Sequence, residues 1–156
     1  MTLKSVLVAF DGTLPSKNAL TEAVEIVQVT HARLTLICVI PLMASAFGIE
    51  MPPGETVTAT IEGARTMLAA EKASLLKKGL TDVDTVLLDG DPVDRVVAYA
   101  MENSPDLIVV GSRGLSEAGR FFLGSVSDGI LHHARCSVLV SKSALHPATP
   151  GASHAM

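Results

Sequence analysis

Apolar residues along this chain alternate between two textures. Nearly continuous apolar runs occupy residues 5–10, 34–40, 84–88, 107–110 and 138–141, the pattern of strands covered on both faces. Between them the apolar positions spread to helical spacing. Leu20, Ala23, Val24 and Val27 share one face of a stretch from 15 to 30, with Pro15 suited to a first turn. Val57, Ile61, Ala64, Leu68, Leu75 and Leu76 mark a second helix that Gly79 should stop. Asp91-Pro92 reads as a cap and first residue for a third, with Val93, Val96, Val97 and Ala100 inward and Asn103-Ser104-Pro105 at its end. A fourth starts near Ser125 and turns Val126, Ile130 and Ala134 inward.

Strand and helix therefore alternate throughout, which predicts an α/β fold: a doubly wound, five-stranded parallel sheet with helices on both faces, because each crossover must be right-handed and helix-filled. Ligands in such sheets collect at the carboxyl ends of the strands. The irregular stretch 41–55, with Pro52, Pro53 and Gly54, follows the second strand and is expected to border that rim. From Ser143 the chain loses periodicity, so residues 143–156 are expected to be a disordered tail after a single domain over 1–142.

Composition narrows the field. With 156 residues, 48% apolar and 18% charged, the chain can bury a core. A net charge of −4 and a pI near 5.7 argue against nucleic acid or an anionic membrane as partner. Cys38 and Cys136, each in an apolar run, read as buried free thiols without metal-site spacing. The apolar run before Asp11 is too brief for a signal-peptide core or a membrane span, so a cytoplasmic location is expected.

Asp11 stands in VAFDGTLPSK, residues 8–17, which resembles the first motif of the haloacid dehalogenase phosphatases, where a nucleophilic aspartate precedes an acid/base partner by two residues. Asp11 would be the partner, but Ala9 occupies the nucleophile position, and a methyl group cannot attack phosphorus. Asp91 and Asp94, in a Gly-Asp setting reminiscent of that family's magnesium motif, are better explained as a helix cap and a first-turn carboxylate. Ser125 and His132 are separated by about 10 Å of helical rise, too far for a nucleophile–base pair. His31, His132 and His133 read as helix-end residues. No catalytic set and no metal ligands follow.

The segment VVGSRGLSEAGRFFLGSVSDGILHHA, residues 109–134, carries the remaining chemistry. Gly111 and Gly114 follow the fourth strand, and Gly124-Ser125 opens the fourth helix, giving Gly-x2-Gly-x9-Gly-Ser. Close backbone approach, unpaired N–H groups and the positive end of a helix dipole are what phosphate requires. A plainer alternative remains: tight-turn glycines and a capping box from Ser125 to Asp128. A Walker A loop is excluded because Arg120-Phe121 follows Gly119, and the dinucleotide fingerprint Gly-x-Gly-x-x-Gly is absent.

This glycine pattern resembles that of the universal stress protein family, in its ATP-binding branch, and the likeness extends over about residues 3–142. It includes Val8-Ala9-Phe10-Asp11-Gly12-Thr13, Cys38-Val39-Ile40 and Asp106-Leu107-Ile108-Val109-Val110-Gly111. The resemblance implies an adenine nucleotide alpha hydrolase-like sheet of order 3-2-1-4-5. It implies that Ala9, Asp11 and Val39 border an adenosine with Val110 beneath it, and that phosphates rest against Gly111, Arg113, Gly114, Gly124, Ser125 and Val126. The implied cofactor is ATP with Mg or Mn, held as a ligand of a stress-response regulatory module and hydrolysed slowly if at all. AMP and cyclic AMP stay open as alternatives, as does a homodimeric interaction module without nucleotide. The family's dimer pairs the last strand, here 138–141, with its copy; many relatives place proline before that strand, where this chain has Ser137.

Overall fold

The structure, a computed structural model, describes residues 2–41, 56–112 and 123–142. The expectations placed on the 42–55 connection, on Arg113, Gly114 and Arg120, and on the 143–156 tail lie outside the described residues. The elements run β1 (Ser5–Ala9), α1 (Leu14–Thr30), β2 (Arg33–Ile40), α2 (Val57–Lys77), β3 (Val83–Asp89), α3 (Pro92–Asn103), β4 (Leu107–Gly111), α4 (Ser125–His133) and β5 (Ser137–Ser141). All pairings are parallel, in the order β3-β2-β1-β4-β5 expected from the family resemblance.

Two-residue periodicity sorts the core into two layers. Val6, Val8, Leu34, Leu36, Leu107 and Val109 face α1 and α2, meeting Ala19, Leu20, Ala23, Leu68 and Leu75. The intervening Leu7, Ile37, Ile108 and Val110 face α3 and α4 and meet Val96, Ala100 and Ile130. Strands with no polar face are thus the reason the runs read as continuous. Val57 and Leu76, placed inward on the sequence, are instead 41% and 45% exposed, because α2 buries only the Leu68–Leu75 stripe.

Local chemistry sets the helix ends. Thr56 Oγ1 accepts the Ala59 N–H at 3.1 Å and Asp91 Oδ1 accepts the Asp94 N–H at 3.0 Å, so Asp91 acts as the cap expected from its Asp-Pro context. His31 and Ser104 close α1 and α3 in the left-handed region, φ 55° and 49°, each returning its N–H to a carbonyl of the last turn. His31 therefore ends its helix through its backbone. His132 Nδ1 lies 2.9 Å from the Asp128 carbonyl oxygen and 3.4 Å from Asp128 Oδ1, at the end of α4.

Two sequence readings need correction. Cys136 precedes β5 instead of lying within it and is only half-buried, because the strand begins at Ser137. Burial pushes both thiols up in pKa, with the charge of Asp11 adding to Cys38; neither is an activated nucleophile. The second correction concerns Ser125. The N-cap of α4 is Gly124, and Ser125 is the first helical residue, so a Ser125–Asp128 capping box does not form.

At the opposite end of the sheet, Asp106 ties β1 to β4. Its Oδ2 accepts the N–H groups of Lys4 at 2.8 Å and Ser5 at 3.0 Å, while its own N–H donates to the Ser5 carbonyl at 2.9 Å. The two main-chain donors hold its carboxyl below the ordinary 3.8. A depressed folded-state pKa contributes stability above the unfolded value and loses it as pH falls through the folded one. Asp106→Asn is therefore expected to lower the thermal midpoint at neutral pH. The gap from wild type should close as a melt series is carried below pH 4, about the unfolded carboxylate value.

Candidate functional site

The carboxyl ends of β1, β2 and β4 and the amino ends of α1, α3 and α4 enclose a cleft of about 340 Å³, at the lower end of the range for ligand sites. A groove of the same volume between α1 and α2 has the mixed charges Lys17, Lys78, Glu25 and Glu71 along it; position, not size, distinguishes the two. Only the first lies at the strand rim where a doubly wound sheet places its ligands.

Part of the cleft lining is apolar: Ala9, Phe10, Ile37, Val39, Pro92, Val96, Val110 and Val126. Asp11, Thr13, Pro15, Ser16, Gly111, Gly124 and Ser127 complete it. The structure thus brings Ala9, Asp11, Val39, Val110, Gly111, Gly124 and Val126 to one cavity. Ser125, although next to Gly124, is exposed and does not line it. Arg113 and Gly114 lie outside the described residues. Sequence reading missed Ile37, Pro92 and Val96 because their spacing marks only a core strand and a capped helix; of the three, Pro92 alone stands at an element's end. Ser16 and Ser127 were equally silent, being single hydroxyls in first turns.

Asp11 is fixed by the turn that leaves β1. Gly12 takes φ +80°, which a side chain disfavours, and lets Thr13 fold back so that its N–H, at 3.0 Å, and its hydroxyl both donate to Asp11 Oδ1. Ser16 accepts the Asp11 N–H at 3.4 Å. Burial raises the Asp11 pKa, but the hydrogen bonds from Thr13 and Ser16 outweigh it, and the carboxyl ends below its ordinary value. It is an anion at neutral pH, with Oδ2 taking no hydrogen bond among the described residues.

Main-chain groups supply further polarity. The Phe10 N–H donates to the Ile37 carbonyl at 2.9 Å, so Ile37 turns its peptide groups toward β1. Alternation along β2 turns the N–H and C=O of Val39 the same way, into the gap left where β1 has ended. Across the cleft, α4 begins at Gly124 with no side-chain cap; its first intrahelical acceptor, the Gly124 carbonyl, takes the Asp128 N–H at 2.9 Å. The N–H groups of Ser125, Val126 and Ser127 precede that bond and have no partner within the helix.

Residues 2–142 match the universal stress protein family. The chain belongs to that family. A relative from Staphylococcus aureus (strain USA300) that carries the universal stress protein name is 32% identical over 149 residues, 95% of this chain and 89% of its own. Among solved structures, UspA from Lactobacillus plantarum superposes with a TM-score of 0.74 at 25% identity, covering 91% of this chain and 99% of that one. A universal stress protein solved in complex with cAMP superposes at 0.63, also 25% identical, over 91% of this chain and 98% of its own. Within this family fold, no described helix is long and apolar enough to cross a membrane, and no group of three metal-ligating side chains occurs among the described residues.

Gly111 has a steric reason visible here. A Cβ built on Gly111 would overlap the carbonyl of Pro15, whose own Cβ is 2.9 Å away. The end of β4 therefore touches the first turn of α1 backbone to backbone. Gly111→Ala must push these elements apart, at a cost of about 1–3 kcal/mol as in other overpacked sites. Chemical denaturation without any ligand is expected to show that loss; an unchanged midpoint would remove the steric reason for this glycine.

Proposed function

We propose that this universal stress protein binds an adenine nucleotide, ATP in the first instance, in the cleft at the ends of β1, β2 and β4, and works as a nucleotide-dependent regulatory module. The observation that carries the reading is an apolar slot that ends at a glycine-capped helix start. A purine needs flat apolar walls, and Ile37, Val39, Val96 and Val110 supply them. Adenine presents an acceptor beside its amino donor, which complements one peptide N–H and C=O, the pair Val39 turns toward the gap. Phosphate needs N–H groups and a positive helix end; the first turn of α4 supports both. Asp11, ionised and with Oδ2 uncommitted, suits a ribose hydroxyl donor.

ATP brings a divalent cation on its phosphates, and Mg usually keeps waters and phosphate oxygens with few protein ligands. The described residues fit that mode, offering an uncapped helix start and no cluster of three metal-ligating side chains. The cAMP complex of the structural relative supports adenine nucleotides as the ligand class. Titrations of MgATP, AMP and cAMP against the same sample rank the three directly.

Thermal melting tests the reading. Nucleotide at a hundredfold over its dissociation constant should stabilise the fold by about 2.7 kcal/mol. No shift with millimolar MgATP, AMP or cAMP would sink it. Asp11→Ala should weaken binding about tenfold, about 1.4 kcal/mol, by removing a charged acceptor. Calorimetric titration showing wild-type affinity in that variant would remove Asp11 from the site.

The position of β5 supports a second property. It is one of the sheet's two edges, and Val138, Leu139 and Val140 remain only half-buried in one copy of the chain. An apolar edge favours pairing with a second copy, and we read strand 138–141 as a homodimer seam. Light scattering is expected to return twice the 16.2 kDa chain mass; a monomer at working concentration would refute it.

A further inference from the structure

We propose that Met67 is a positioning residue for this site: its thioether backs the turn at Gly12 and so keeps Asp11 aimed at the ribose. The inference deepens the nucleotide reading and rests on it for what Asp11 touches. No residue of α2 is among the described residues that line the cleft, yet α2 reaches the site from behind. Met67 is half-buried against the core layer that α1 and α2 cover, next to Leu68, which is fully buried there. A Cβ built on Gly12 would lie 2.5 Å from Met67 Sδ and 3.7 Å from its Cγ. The sulfur therefore occupies the space that a side chain at this position would take, close against the glycine.

A glycine has no torsional preference of its own that would hold φ at +80°. What fixes the turn must come from its surroundings. Thr13 supplies two hydrogen bonds to Asp11 Oδ1, but both are exposed, where water competes for the same groups. Met67 supplies packing that water cannot replace, and a flexible thioether is suited to filling an irregular gap of this kind. Gly12 held in place keeps the Thr13 donors on Asp11 Oδ1 and leaves Oδ2 uncommitted. With Met67 truncated, the glycine regains its freedom, those hydrogen bonds loosen, and the carboxylate loses its single orientation.

Two readouts separate this role from plain packing. In the ligand-free protein, carbon NMR of the Asp11 carboxyl follows its titration. Burial raises that pKa and the Thr13 hydrogen bonds more than offset it, so Met67→Ala should move it up toward the ordinary 3.8. The Cys38 thiol, pushed up by burial and by the Asp11 charge, stays neutral across that range. In binding, wild type should prefer AMP about tenfold over dideoxy-AMP, which lacks both ribose hydroxyls and so cannot use Asp11. Met67→Ala should cut that preference to about twofold or less while dideoxy-AMP binds as before. Met67→Leu, close in volume, should restore both readouts. Should alanine destabilise the fold too far for binding work, Met67→Val, which keeps the apolar anchor without the reach, carries the same expectations. A wild-type Asp11 titration in the truncated variant would overturn the proposal, as would equal losses for AMP and dideoxy-AMP, the mark of a structural role alone. If wild-type protein binds neither nucleotide, the nucleotide reading falls and the ribose half of this proposal with it, while the ligand-free titration still decides whether Met67 holds the turn.

Discussion

Parallel pairing of β1 with both β2 and β4 is the constraint from which the remaining architecture follows. A strand hydrogen-bonded on both edges and apolar on both faces must be covered on both faces, and right-handed crossovers can do so only by sending α1 and α2 to one side and α3 and α4 to the other. The chain leaves β1 toward β2 and returns past it to β4, so connections diverge at the centre of the sheet. A crevice opens between them at the carboxyl ends of the strands. The cleft is therefore a consequence of strand order, and its walls are whatever residues stand at the strand ends.

Close backbone contacts then bring those ends within reach of one another. Gly111 admits the Pro15 carbonyl, and Gly129 admits Val93, whose Cγ2 would lie 2.7 Å from an added Cβ. The first contact seats α1 against β4; the second seats α4 against α3. Gly111 reads from sequence as a turn or a phosphate contact, yet packing demands it too, whereas Gly129, inside α4, answers to packing alone. Glycine at a strand rim can serve a fold and a ligand together because both demand the same missing Cβ.

Much of this was legible in the sequence, for physical reasons that differ by element. Strands without a polar face announce themselves as continuous runs, which is why all five were located to within a residue or two. Asp91-Pro92 and Gly79 fix helix ends by their own chemistry. The strand order came from family resemblance, since periodicity carries no information on which strands pair. The plainer alternative for Ser125, a capping box with Asp128, fails because the N-cap is one residue earlier, at Gly124, and only backbone geometry separates the two.

The three helix starts at the cleft are electrostatically unequal, and this inequality gives the site a direction under the nucleotide reading. Asp91 already occupies the start of α3 with a carboxylate, so that helix cannot favour a second anion beside Pro92 and Val96. Asp11, held ionised by Thr13, stands immediately before α1 and satisfies much of the same need there. Only α4 enters the cleft behind a residue with neither side chain nor charge. A ligand with an apolar plate at one end and an anion at the other can then lie in one orientation, plate against α3 and β2, anion at α4. Reversal would bring phosphate against Asp91 and leave apolar rings over unpaired N–H groups, each unfavourable on its own.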